Sequence, residues 1–171
     1  MATSIDENIL LTGFMGSGKT MIGEALAKKL NKPFADIDKI IENKEGMPIK
    51  DIFKNEGEAA FRAKEKKEIT DYLHADNNAV ISVGGGAFLQ EETRDLCLQK
   101  ATVVFLHISW DAWLDRMDMI VATRPVLHGK TISDIYKLYE ERQAIYAHHH
   151  HSITVDYLDA EEASDKIIEV I

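Results

Sequence analysis

The feature that most constrains this chain is a glycine-rich motif that directly follows a short apolar run. Residues 13–20 read GFMGSGKT, a full match to the pattern G-x-x-x-x-G-K-[ST], and residues 8–12 read NILLT. The motif requires a strand before it and a helix after it, and a continuous apolar run is typical of a parallel strand covered on both faces. The sequence therefore predicts a central strand, a phosphate-binding loop and a helix from about Gly18 to Leu30.

Each part of this loop has a predicted role in holding ATP. The glycines let successive backbone N–H groups point at phosphate oxygens, and the N-terminus of the following helix adds the positive end of its dipole. Lys19 is predicted to neutralise the β- and γ-phosphates and to act in catalysis, and the Thr20 hydroxyl is predicted to ligate Mg²⁺. The other predicted ATP contacts in this segment are Gly16, Ser17, Gly18 and Met21. The loop does not identify the acceptor, because motors, GTPases and kinases share it.

The rest of the chain alternates short apolar runs with longer segments of helical period, which predicts an α/β fold with a parallel sheet. Further strands are predicted at 33–36, 78–83, 101–108 and 153–155, and helices at 37–75 with a break at 46–48, at 110–117, 133–146 and 161–171. Residues 118–130 are interpreted as a loop or lid. No repeat or linker is visible, so residues 1–171 are predicted to form a single domain.

Charge and composition narrow the possible partners. The chain has 20 Lys plus Arg against 29 Asp plus Glu, and this net charge of −9 disfavours docking on nucleic acid. No apolar run approaches the roughly 20 residues that a membrane span needs, and residues 1–8 lack the features of a signal peptide. The single cysteine, Cys97, excludes an internal disulfide. We therefore expect a cytoplasmic protein without nucleic-acid or membrane partners.

Two aspartates mark the end of the second predicted strand. In a strand, the period of two would place the carboxylates of Asp36 and Asp38 on one side of the chain, at the sheet edge where ligands bind. One acid can serve a metal, and the other can orient a hydroxyl and accept its proton. Downstream of a phosphate-binding loop, this pair favours a kinase that acts on a hydroxyl over a solvated strand end.

Six segments occur in the order and spacing of shikimate kinases: GFMGSGKT, FADIDKIIE, EGEAAFRAKE, SVGGGA, TRPVL and RQAIY. The chain resembles that family over about residues 8–156. The resemblance implies a three-layer P-loop kinase fold, with a five-stranded parallel sheet of order 2-3-1-4-5 flanked by helices. It also implies transfer of the γ-phosphate of ATP to the 3-hydroxyl of shikimate, in the biosynthesis of chorismate and the aromatic amino acids, by a monomer that uses Mg²⁺.

The resemblance also assigns roles to acidic and basic residues. Asp38 resembles the base that holds the shikimate hydroxyls, Asp36 lies near Mg²⁺ through water, and the substrate-binding helices span about 37–75. Arg62 and Arg142 resemble the pair that grips the substrate carboxylate. Two guanidinium groups would supply both charge and orientation, whereas lysines would supply charge alone.

The acidic neighbours of an arginine bear on its interpretation. Glu65 lies one helical turn from Arg62 and can aim it. The alternative for any arginine is a surface ion pair, and Arg94, which matches no motif, is interpreted in that way.

The glycine triplet and the lid complete the predicted site. Gly84, Gly85 and Gly86 follow a strand, and without side chains their N–H groups can approach substrate oxygens closely. In the lid, at about 117–130, Arg124 resembles the catalytic arginine that closes over the phosphates, and Arg116 resembles the arginine that stacks on adenine. Both are therefore predicted to bind ATP.

The sequence leaves two alternative functions open and contains one possible metal-binding segment. The chain could be a related P-loop kinase for gluconate or another small hydroxy acid, or a catalytically silent nucleotide-binding module. The run from His148 to His151 could chelate Zn²⁺ or Ni²⁺ adventitiously. A catalytic metal site normally gathers ligands from spaced positions with a supporting second shell, so we expect no physiological metal role for this run.

Overall fold

A computed structural model describes residues 7–75, 77–123 and 127–171. Its centre is one sheet of five parallel strands in the order β2-β3-β1-β4-β5, which confirms both the predicted order and the central place of the first strand. The strands are β1 Asn8–Thr12, β2 Phe34–Asp36, β3 Val80–Ser82, β4 Ala101–His107 and β5 His151–Thr154. Since the strands are parallel, all their carboxyl ends meet at one edge of the sheet, where a ligand site is expected.

Helices cover both faces of the sheet. They are α1 Lys19–Leu30, α2 Ile37–Glu45, α3 Ile49–Glu56, α4 Glu58–His74, α5 Glu91–Lys100, α6 Trp110–Thr123, α7 Ile132–Tyr146 and α8 Ala160–Val170, with a 3₁₀ turn at Ala87–Leu89. Alternate residues of β1 enter opposite cores. Ile9 and Leu11 pack with α1, α6, α7 and α8, whereas Leu10 packs with α2 to α5. The result is the predicted three-layer arrangement.

The break predicted near 46–48 is present, because Gly46 ends α2 in the left-handed conformation and Pro48 caps α3. Two other predictions were wrong. Residues 91–100 were predicted to contain neither a helix nor a strand, yet they form α5. This helix buries only Thr93 and Cys97, so its sequence lacks a clear apolar pattern. Residues 118–123, interpreted as loop, continue α6, because Ile120 is buried there against the phosphate-binding loop.

The last strand begins at His151, two residues before the predicted start. None of the helices in the three described segments combines the length and the apolar character needed to cross a membrane.

Candidate active site

The glycine-rich loop connects β1 to α1 at the carboxyl edge of the sheet. Gly16 and Gly18 have φ values of 81° and 95°, in the left-handed region that favours glycine, and Gly18 is the N-cap of α1. The Ser17 hydroxyl is buried inside the loop, and it has no hydrogen-bond partner among the residues described. A buried polar group of this kind fits a cradle that is completed by a polar ligand.

Lys19 and Met21 open α1 beside the loop. The Lys19 amine donates to the carbonyl oxygens of Gly13 at 2.7 Å and Phe14 at 3.2 Å, so its charge lies across the loop itself. The Met21 side chain is exposed. The predicted contact of Met21 with ATP therefore depends on its backbone and stays a prediction.

Thr20 and Asp36 form a pair of oxygen ligands between α1 and β2. The Thr20 hydroxyl donates to Oδ2 of Asp36 at 3.0 Å, and Oδ1 of Asp36 accepts from the backbone N–H of Lys39 at 3.3 Å. A hydroxyl and a carboxylate that converge next to a phosphate-binding loop are the oxygen donors that Mg²⁺ prefers. The donor set thus fits the predicted metal.

Asp38 does not lie on a strand as predicted. The strand β2 ends at Asp36, which caps α2, and Asp38 lies in the first turn of that helix. The correction has a physical reason, since aspartate is a preferred N-cap residue and here starts a helix immediately after the strand. A Cβ built on Gly84 would lie 3.2 Å from Oδ1 of Asp38, so the acid faces the glycine triplet.

Arg62 lies on α4 against the last glycine of the triplet. Its Nη1 donates to Oε1 of Glu65 at 2.9 Å, which is the predicted contact, and Nη2 lies 3.5 Å from Oε1 of Glu58. The guanidinium also lies over the ring of Phe61, 5.2 Å from its centroid. A Cβ added at Gly86 would overlap the guanidinium, so only glycine lets Arg62 take this position.

Arg142 lies on α7 and contacts the middle glycine of the triplet. It is only 8% exposed, and its Nη1 donates to the carbonyl oxygen of Gly85 at 2.9 Å. The hydroxyl of Tyr146 donates to the same carbonyl at 2.6 Å. Sequence reasoning gave Tyr146 no role, because its bond to Gly85 joins two elements that are 61 residues apart in the sequence.

Glu65 is the buried acid between these groups, and sequence reasoning missed its burial. It is 0% exposed, and its Oε2 has no hydrogen-bond partner within the described residues. A Cβ built on Gly84 would lie 3.0 Å from that oxygen. Burial raises the pKa of Glu65 from 4.5 to about 7, while Arg62 lowers it and Asp38 raises it further. The acid therefore titrates close to neutral pH.

This titration gives a pH-dependent stability. Because the folded protein binds the Glu65 proton more tightly than the unfolded chain, stability falls as pH rises between about 4.5 and 7. Chemical denaturation at pH 5 and pH 8 should show the wild type losing about 2 kcal/mol of unfolding free energy relative to Glu65→Gln, which cannot titrate. Parallel pH profiles of the two proteins would contradict the raised pKa.

The two lid arginines differ in what can be described. Arg116, on α6, donates through Nη1 to the carbonyl oxygen of Gly16 at 3.1 Å, so it lies beside the phosphate-binding loop. Arg124 lies outside the described residues, and its predicted role over the phosphates stays a prediction. The ion-pair interpretation of Arg94 is confirmed by its contacts with Glu91 at 3.9 Å and Asp95 at 3.7 Å, although its own side chain is only 19% exposed.

The histidine run makes backbone contacts at the edge of the sheet. Nδ1 of His149 lies 2.7 Å from the carbonyl oxygen of Tyr146, and Nδ1 of His150 accepts from the backbone N–H of Val103 at 2.9 Å. Within the described parts of the chain, no group of three or more His, Cys, Asp or Glu side chains is arranged to hold a metal ion.

Known proteins share this sequence and this fold. A family model described as shikimate kinase matches residues 15–171. The shikimate kinase of Geobacillus thermodenitrificans is 46% identical over 167 residues, which cover 97% of this chain and 89% of the relative. That of Bacillus pumilus is 44% identical over 164 residues, covering 96% and 89%.

Solved structures agree with these relatives. A shikimate kinase from Acinetobacter baumannii in complex with shikimate is 30% identical with a TM-score of 0.89, over 98% of this chain and 93% of that one. A shikimate kinase from Bacteroides thetaiotaomicron is 31% identical with a TM-score of 0.87, over 96% and 97%.

Proposed function

The chain belongs to the shikimate kinase family, and on this premise we propose that it transfers the γ-phosphate of ATP to the 3-hydroxyl of shikimate. One observation carries the proposal. Each glycine of the triplet lies against a different functional side chain: Gly84 against Asp38, Gly85 against Arg142 and Gly86 against Arg62. A base and two carboxylate-binding groups thus surround one short backbone segment that has no side chains of its own.

The acceptor side of the reaction follows from these three groups. Arg62 and Arg142 bind the carboxylate of shikimate from two sides, which fixes the orientation of the ring as well as its charge. Asp38 then accepts a hydrogen bond from the 3-hydroxyl. As the hydroxyl oxygen forms its bond to the γ-phosphorus, the bond between that phosphorus and the oxygen bridging it to the β-phosphate breaks, ADP leaves, and Asp38 takes the hydroxyl proton.

The donor side depends on the loop and on α1. Backbone N–H groups of Gly16, Ser17 and Gly18 bind the phosphates, and Lys19 moves from its loop carbonyls to the β- and γ-phosphate oxygens. Thr20 and, through water, Asp36 would hold Mg²⁺, which when bound neutralises charge on the phosphates.

The lid is proposed to close over the bound ATP. Arg116 would stack on adenine, and its bond to the Gly16 carbonyl oxygen, which holds it beside the phosphate-binding loop, supports this role. Arg124 would stabilise charge on the transferring phosphoryl group. Closure of residues 117–130 would exclude water and suppress idle hydrolysis of ATP.

We further infer a monomer in the cytoplasm that has no nucleic-acid or membrane partner. The net charge of −9 disfavours a nucleic-acid partner. The one cysteine, Cys97, is buried, and burial raises the pKa of its thiol to about 12, which suits a protein without disulfide chemistry.

Release of ADP with different acceptors tests the proposed function. Purified enzyme is supplied with ATP and Mg²⁺ together with shikimate, with gluconate, or with no acceptor. We expect turnover with shikimate only. Comparable turnover with gluconate would favour a kinase of broader hydroxy-acid specificity. The absence of any turnover despite ATP binding would favour a silent nucleotide-binding module.

A further inference from the structure

The carbonyl group of Gly85 is held from two directions. Arg142 donates to it at 2.9 Å and the Tyr146 hydroxyl donates to it at 2.6 Å. A carbonyl oxygen has two lone pairs, so these two donors satisfy it fully. Both donors lie on α7, one helical turn apart, and therefore act on Gly85 as one rigid unit.

Fixing this carbonyl also fixes the next N–H group. The peptide unit is planar and trans, so the N–H of Gly86 points opposite to the C=O of Gly85. In a run of three glycines no side chain restricts rotation of the backbone, and hydrogen bonds must supply the restriction. The Gly85 carbonyl is therefore the point at which α7 sets the conformation of the triplet.

We propose that Tyr146 is a positioning residue for shikimate, whose hydroxyl holds the Gly85 carbonyl and thereby sets both the direction of the Gly86 N–H and the aim of Arg142. This inference rests on the proposed function and adds a residue that does not itself touch the substrate. Arg142 has five N–H donors, so its bond to Gly85 leaves others for a carboxylate. Without the Tyr146 hydroxyl, Arg142 would be the one remaining donor of these two to the Gly85 carbonyl. A shift of Arg142 towards the substrate would then also shift the Gly85 peptide.

The surroundings of Tyr146 suit this task. Its side chain is fully buried, and its ring stacks on that of Phe105 with the centroids 5.3 Å apart, so the hydroxyl has a fixed position. Burial raises the pKa of the phenol above its usual value, which keeps the donor proton in place at working pH. A Cβ built on Gly85 would lie 3.5 Å from both the Gly13 carbonyl oxygen and the Met15 nitrogen. The held peptide is thus also next to the phosphate-binding loop.

A second tyrosine of α7, Tyr139, provides a control that distinguishes a positioning role of Tyr146 from a purely structural one. The buried Tyr139 donates from its hydroxyl to a loop carbonyl, that of Ile108, also at 2.6 Å. The bond has the same chemistry and length, but its acceptor does not belong to the glycine triplet. Tyr139→Phe therefore removes an equivalent buried hydrogen bond without touching the proposed shikimate site.

Steady-state kinetics of the wild type, Tyr146→Phe and Tyr139→Phe test the proposal. We expect Tyr146→Phe to raise KM for shikimate about three- to tenfold, the effect of one net hydrogen bond, with KM for ATP within about twofold of the wild type. Tyr139→Phe should leave KM for shikimate unchanged. Bound shikimate should also raise the unfolding temperature of Tyr146→Phe less than that of Tyr139→Phe, whereas MgADP should raise both equally.

Three results would overturn the proposal while leaving the proposed function intact. In the first, Tyr146→Phe has the wild-type KM for shikimate. In the second, both variants raise that KM alike. In the third, Tyr146→Phe does not fold, which would assign the bond to the core. A wild type that does not use shikimate would instead overturn the proposed function, so the two failures are distinguishable.

Discussion

Replacing Asp38 by asparagine should lower kcat with shikimate by about 10²- to 10⁴-fold, the range that general base catalysis contributes. The amide has nearly the same size and can still accept a hydrogen bond from the hydroxyl, so KM for shikimate should change little. What it lacks is the capacity to take the proton as the new bond to phosphorus forms. Initial rates at saturating ATP measure both constants.

A matched control comes from the neighbouring helix. Asp51 also lies in the first turn of a helix, α3, and Asp51→Asn makes the same change of charge at a residue with no proposed role in the transfer. It should keep the kcat of the wild type. If Asp38→Asn turned over as fast as Asp51→Asn, Asp38 would not be the base.

The second large effect is expected from Arg142→Ala. This variant removes a buried charge that is proposed to pair with the substrate carboxylate, and loss of one partner of a buried hydrogen-bonded pair costs about 2–5 kcal/mol. We expect kcat/KM for shikimate to fall by about 10²- to 10³-fold, mainly through KM. Arg142→Lys should lie between the two proteins, because it keeps the charge but loses the planar fork.

Arg94→Ala is the control for this experiment. Arg94 is a partly buried arginine whose ion-pair partners on α5, Glu91 and Asp95, are exposed, and pairs with such solvated partners contribute about 0–1 kcal/mol. Its kinetics with shikimate should match the wild type. Equal losses in the two alanine variants would show a general effect of removing positive charge, and would contradict a specific role for Arg142.

The fold could be predicted in outline because its strongest signals are local. The apolar run of β1 followed by GFMGSGKT fixes a strand, a loop and a helix, and the motif order of the family supplies the order of the strands. Elements without an apolar pattern could not be predicted. The helix α5 buries little besides Thr93 and Cys97, and the end of α6 is set by the contact of Ile120 with Gly16.

In the candidate site, too, residues within motifs could be predicted, whereas contacts made by tertiary packing could not. The motifs selected Asp38, Arg62 and Arg142, but the segment Asp36-Ile-Asp38 reads equally well as a strand end and as a helix start, so its geometry was mistaken. The burial of Glu65 and the bond from Tyr146 to Gly85 depend on how α4 and α7 pack around the glycine triplet. Contacts between elements so distant in sequence have no local signature.

The most direct test of the central claim is to follow the γ-phosphate itself. ³¹P NMR of a reaction containing enzyme, Mg²⁺, ATP and shikimate distinguishes free phosphate from a phosphate ester, and ¹H–³¹P correlation reports which carbon carries the ester. We expect one shikimate 3-phosphate for each ADP formed, and little inorganic phosphate when shikimate is omitted. Release of inorganic phosphate at the same rate with and without shikimate, or an ester at another hydroxyl, would contradict a site in which Asp38 readies the 3-hydroxyl and two arginines hold the carboxylate.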